Sequence, residues 1–243
     1  MLNFVCRYFL MFVVYSVIGY LVEITSVSIR TKKLTFSRGF LLGPYLPIYG
    51  RSAVLLILCF SNHNINIFEE FILCLFICTF IEYITSYIME KLFKVRWWDY
   101  SNRLFNIKGR ICLSNSLLFG LGGTFILRVL NPLISPLVYS IKLNYLYIIT
   151  FILFIIILTD DIISILVLNK LKNKFIKLSG ARDSTSDIKK QVLDTLCSSN
   201  FLTRRTLKAY PRVNNLYLGS ISDIKDRFDK KINKIKEDLT KDL

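Results

Sequence analysis

Five stretches of this chain are too apolar to fold in water, and they fix what it can become. They cover residues 4–29, 40–60, 68–93, 111–130 and 143–168. Each approaches or exceeds the roughly 20 apolar residues that carry a helix through a hydrocarbon core. In lipid every backbone amide must be satisfied within the protein, so uninterrupted runs of this kind become helices. The expectation is an all-α integral membrane protein with about five transmembrane helices. The first run has no basic start and no small-residue cleavage site, and it is too long for a signal sequence, so it reads as a retained helix.

Charge divides the chain in two. Residues 1–169 hold fourteen of the 32 Lys and Arg, and residues 170–243 hold the other eighteen. A transmembrane domain over 1–169 followed by a basic helical tail over 170–243 is the simplest organisation. Within the tail, Ile221, Ile224, Phe228, Ile232, Ile235 and Leu239 recur at helical spacing, which predicts an amphipathic helix over 221–239. That helix could pair with a second copy of the chain, so a homodimer is one candidate partnership.

The loops set the orientation. The first carries Arg30, Lys32, Lys33 and Arg38, and the second, SNHNINIFEE, has no Lys or Arg. The third carries Lys91, Lys94, Arg96, Arg103, Lys108 and Arg110, while the fourth has only Arg128 and Lys142 near its ends. Under the positive-inside rule this alternation places the N-terminus outside and loops one, three and the tail in the cytoplasm of a multi-pass cell-membrane protein. The net charge of +15 then belongs beside an anionic leaflet of the lipid bilayer rather than on nucleic acid. Trp97, Trp98 and Tyr100 follow the third run, where amphipathic rings settle among headgroups.

The second run is the irregular one. RGFLLGPYLPIYGR, residues 38–51, carries three glycines and two prolines at the head of an apolar segment. From Pro47 to Phe60 a helix would span only about 21 Å, short of a ~30 Å core. The preceding residues, with Gly43 and Pro44, must supply the rest as a broken or re-entrant piece buried in protein.

This motif has a counterpart. RGFLLGPYLPIYG aligns without a gap on KGRICLSNSLLFG, residues 108–120, matching Gly39 with Gly109, Tyr49 with Phe119 and Gly50 with Gly120. The preceding helices also read alike, VEITSVSI against IEYITSYI, with Glu23 and Glu82 in corresponding places. A parallel two-helix repeat over 14–60 and 73–130 is expected, and Gly/Pro-interrupted spans in matched positions mark binding sites in transporters.

Five charges fall inside the apolar runs: Glu23, Arg51, Glu82, Asp160 and Asp161. Each costs at least ~2.5 kcal/mol near a bilayer centre, so they face the interior and find partners. One reading is a substrate pathway through Glu23, Gly43, Pro44, Pro47, Tyr49, Arg51, Glu82, Asp160 and Asp161, with Glu82 the leading residue. The other is structural: Glu23 accepts from the broken-backbone amides, and Arg51 neutralises an acid. The six cysteines form no CxxC or Cys/His cluster, so neither metal nor other cofactor is expected. Cys74 and Cys78, which share a helix face, read as packing residues.

RGFLLGPYLPIYG, followed by MEKLFKVRWWDYSNRLFNIKGRICL, resembles the bacterial membrane family of ABC-transporter permeases of the CmpB-like, or type IV, group. The likeness runs from about Val14 to Pro132, with an echo in AYPRV at 209–213. Two positions depart from the family pattern: Tyr20, where Trp is usual, and Arg51, where a small or apolar residue is expected. The resemblance implies a permease subunit energised by a separate ATP-binding partner. The chain has no GxxxxGK[ST] loop of its own, so hydrolysis would come from that partner. Arg96, Trp97, Trp98, Asp99, Tyr100 and Arg110 are where it would dock.

Two other classes compete. A scaffold or regulatory membrane protein would use its buried charges only to fix packing. A membrane enzyme acting on a lipid-linked substrate would need a nucleophile with a base near the interface. The lone His63 sits in a polar loop and no such pair stands out, so no catalytic residue is expected.

Overall fold

The computed structural model describes residues 1–32, 39–60, 65–93 and 98–179. It is all-helical, with six α-helices: α1 (Leu2–Thr31), α2 (Pro47–Phe60), α3 (Ile67–Phe93), α4 (Leu113–Phe125), α5 (Asn131–Ser140) and α6 (Leu143–Ser179). A five-residue π-helical turn, Ile126–Leu130, joins α4 to α5 without a break. Among the described residues there is no strand, only one isolated bridge between Ile107 and Ile111. Among the described residues four helical segments are long and apolar enough to cross a membrane: Leu2–Ile29, Ile67–Phe93, Leu113–Ser140 and Leu143–Lys170. The protein is a multi-pass membrane protein, and α2 is its shorter, fifth apolar helix.

The second run is broken as its composition demands. Residues 39–46 are not helical, and α2 begins at Pro47, whose missing N–H costs nothing at a first helical position. Gly39 has φ 102°, a conformation that side-chain-bearing residues rarely adopt, and Gly109 in the matched loop has φ 68°. Pro44 keeps the residue before it out of helical geometry. The segment also dips inward. Leu41 and Tyr45 pack against Val13, near the middle of α1, and Ile157 of α6, and the Leu46 amide donates to the Ser16 carbonyl at 2.9 Å.

The fourth run differs from its sequence reading. It continues as one helical rod to Ser140, ten residues beyond the expected end at Leu130. Pro132 reads as a stop, but the π turn shifts the hydrogen-bond register so that α5 restarts with Pro132 in its first turn. The last helix is also longer than its apolar run: α6 has 37 residues, about 55 Å, and carries on past Leu168 to Ser179.

Two hairpins form the core. α1 packs most closely with α2, and α3 with α4. Each seam has a glycine where the backbones approach. A side chain at Gly50 would run into the Phe12 carbonyl and Ser16, and one at Gly120 into Phe71 and Leu75. Small residues at such crossings are how membrane helices gain contact when lipid is as apolar as leucine. Leu56, Cys74 and Cys78 pack together between the hairpins, with Cys74 fully buried. The apolar residues of α5 and α6 largely face outward, among them Leu137, Phe151, Ile155 and Leu166. That is the distribution lipid requires and water forbids. The run 221–239, AYPRV at 209–213, His63, Arg96 and Trp97 lie outside the described residues.

Candidate functional site

The non-helical segment leaves backbone amides that must be paired at membrane depth. Asp160, buried on α6, does this. Its Oδ1 accepts from the Leu42 amide at 2.8 Å and from the Ser164 hydroxyl at 3.1 Å. Its Oδ2 accepts from the Gly43 amide at 2.8 Å and from the Tyr45 hydroxyl at 2.5 Å. Four donors converge on one carboxylate. Such bonds to an ionised acceptor are about twice as strong as neutral ones.

This corrects one expectation. Glu23 does not accept from the broken backbone, because the segment folds inward to the level of Val13, and Glu23 lies ten residues, or about 15 Å, further along α1. Glu23 instead accepts from the Tyr49 hydroxyl on α2 at 3.1 Å. Tyr49 reaches it by lying across Gly19.

Glu82 on α3 occupies the corresponding place in the second hairpin and is only 4% exposed. Its Oε1 accepts from the Tyr100 hydroxyl at 3.1 Å and from the Asn115 amide at 3.2 Å. Asn115 also donates to the Tyr100 oxygen at 2.6 Å, closing a triangle. Glu82 Oε2 has no hydrogen-bond partner among the described residues. Burial, and then the neighbouring Glu82 carboxylate, push the Tyr100 hydroxyl well above the usual phenol range. Tyr100 therefore stays a proton donor at every physiological pH.

Two turns along α3, Glu90 pairs with Arg110 at 2.8 Å. The Arg110 guanidinium also lies over the rings of Tyr83 and Tyr87, at 5.5 and 5.4 Å from their centroids. Its carbonyl accepts from the Trp98 indole at 2.9 Å, and the Tyr100 amide donates to the Gly109 carbonyl at 2.8 Å. The loop over 98–112 is thus tied down from within. Asp99 accepts from the amide and hydroxyl of Ser101, and Asn106 bonds back to Ser101, Arg103 and Gly109. Leu104 and Phe105 remain exposed at its tip.

The other named residues separate. Arg51 is exposed and acts electrostatically on Asp161, the neighbour of Asp160. Pro44 and Pro47 shape the break. At the opposite end of the bundle Arg128 pairs with Glu70 at 2.9 Å and donates to the Ile65 carbonyl at 2.7 Å. There too Arg7, buried on α1, donates to the Val138 carbonyl at 2.6 Å and lies over Tyr139. A cavity of about 520 Å³ opens nearby between Tyr8, Met11, Ile57, Asn131 and Tyr139. Among the described residues no group of three His, Cys, Asp or Glu is placed to hold a metal.

Sequence reasoning did not single out Tyr45, Ser164, Asn115, Tyr83 or Tyr87 as site residues. Asn115 carried a usable signal, an amide inside an apolar run, but its serine neighbours hid it. Tyr45 carried another, since it sits between Pro44 and Pro47 at the break.

A family model described as "Putative ABC-transporter type IV" matches residues 10–165. The match spans well over half the chain, reaching from α1 into α6. No curated protein matches the chain, and no solved structure does. The chain belongs to that family.

Proposed function

We propose that this family member is the membrane-spanning permease subunit of an ABC-type transport system, powered by a separate ATP-binding partner. The observation that carries this reading is Glu82. Glu82 is buried within a span and, unlike the buried Glu70 with its Arg128, is in neither described ion pair, and one of its oxygens has no partner among the described residues. An acid held in a span without a cation is costly, and such groups mark ligand and ion pathways.

The hairpins support the same reading. Adding 59 to the α1 numbers carries Phe12, Ser16 and Glu23 to Phe71, Leu75 and Glu82, and adding 70 carries Gly39 and Gly50 to Gly109 and Gly120. Gly50 meets the first two of these α1 residues, and Gly120 meets their α3 counterparts. We read this as the parallel duplication of a two-helix unit. Matched glycine-bearing spans are the layout of transporters built from repeats. By the positive-inside rule the loops before α2 and α4 are cytoplasmic. The 98–112 loop, internally braced and apolar at its tip, is the surface a cytoplasmic ATPase would grip, and catalysis resides in that subunit.

The scaffold reading has one observation in its favour, the complete pairing of Asp160. Reconstitution in proteoliposomes with the ATP-binding subunit decides between them. Candidate substrates should stimulate ATP hydrolysis, and Glu82→Gln should abolish the stimulation while leaving membrane insertion intact. Undiminished stimulation in that variant, or no ATP-binding partner at all, favours the scaffold.

A further inference from the structure

Among the described residues Glu70, Glu82 and Glu90 lie along α3; Glu70 holds Arg128 at one end, and of the two acidic cradles toward the other end only one contains a cation of the protein's own. In the first, Arg110 is held by the Glu90 carboxylate and the faces of Tyr83 and Tyr87. In the second, Glu82 is surrounded by neutral groups, the Tyr100 hydroxyl and the Asn115 amide, and its Oε2 has no partner among the described residues. Glu23 adds a second carboxylate whose partner is likewise neutral, Tyr49. Neither acid belongs to the ion pairs Arg110–Glu90 and Arg128–Glu70. Leu56 of α2 packs on Cys74 and Cys78 of α3; two turns further from the connection between these helices stand Tyr49 and Glu82, so the helix packing brings the two carboxylates' surroundings into one region.

We infer that Glu23, Tyr49, Glu82, Tyr100 and Asn115 form a binding site for an organic cation bearing an ammonium or guanidinium group. The site holds two carboxyl groups and no basic side chain. Aromatic rings beside carboxylates are suited to such cations, whose charge is spread and weakly hydrated. Arg110 shows that this protein holds one in the same way. A divalent metal is a poorer fit, because calcium takes six to eight oxygen ligands and magnesium a strict octahedron. The inference builds on the permease reading only in making the bound cation the cargo.

The test uses the full chain, purified in detergent without any partner, with tetramethylammonium and methylguanidinium chloride as probes. Sodium chloride at equal ionic strength is the control. At about 100 times its Kd, a ligand of the folded state should raise Tm by roughly 5–10 °C. The expected result is a saturable rise with at least one probe, lost in Glu82→Gln and in Glu23→Gln. Without probe, Glu82→Gln should match or exceed the parent Tm, since it removes an uncompensated charge, whereas Glu90→Gln should fall below it. No saturable rise with either probe overturns the site, as does a rise that survives both substitutions. Should Glu82→Gln fail to insert, Glu23→Gln and Tyr100→Phe carry the comparison. Cation binding without ATPase stimulation would leave the site standing and sink only the transport reading.

Discussion

The two hairpins share a seam and differ in how they are closed. Both bring a glycine of the second helix against the first helix, and both set a glutamate beside a tyrosine hydroxyl. The first hairpin, however, cannot satisfy its own connecting segment, and it borrows Asp160 from α6. The second ties its connection from within, through Trp98, Asn106 and Arg110. Among the described residues the first connection takes its acceptor from α6, and the second finds these bonds within 98–112. The seams are thus built alike, while the two connections are held by different means.

That contrast can be broken most severely at Asp160. Asp160→Ala would leave two amides and a phenol without their acceptor, at about 1–3 kcal/mol each. We expect a loss of about 3–9 kcal/mol, read as a fall of at least ~6 °C in thermal unfolding of the purified protein. Removing the corresponding brace from the second hairpin, with Asn106→Ala, should cost far less. Equal losses would end the claim that the first connection depends on α6 more than the second depends on Asn106.

The seam itself can be sharpened next. Gly50→Ala should cost about 2–3 kcal/mol, because the added methyl meets the Phe12 carbonyl, which is backbone and cannot turn aside. Gly120→Ala meets only the Phe71 ring and the Leu75 side chain, and about 1 kcal/mol is expected. The reverse order in denaturation midpoints would mean that the seams are not equivalent.

The smallest effects lie at the phenols. Tyr49→Phe removes one 3.1 Å bond and should cost about 0.5–1 kcal/mol. Tyr100→Phe also takes an acceptor from Asn115, so about 1–2 kcal/mol is expected. A difference of the opposite sign would mean that Asn115 finds its acceptor elsewhere.

How far these features could be read beforehand follows from the reach of the interactions. The spans were legible because apolar length is a local property, and the break at 39–46 because Gly39, Pro44 and Pro47 act on their own backbone. Glu82 was legible as a charge that does not belong in lipid. The acceptor for Leu42 and Gly43 was not, since it depends on how deep the segment folds, and α6 is more than a hundred residues away. The continuation to Ser140 was hidden because a π turn has no composition of its own, so Asn131 and Pro132 read as an end. The clasp of Arg128 on Glu70 was missed for a similar reason: each residue alone looks like an ordinary loop charge.

A last consequence attaches to the length of α6. At about 55 Å it outreaches a ~30 Å hydrocarbon core, so part of it stands clear of the bilayer. Asp160 grips the re-entrant segment close to the midpoint of Leu143–Ser179, leaving arms of nearly equal reach on either side. The arm before Asp160 is fixed, since Leu146 is fully buried in the core. A load on the far tip is therefore not handed on to the start of the helix but falls on the stretch at Asp160 and on the broken span it holds.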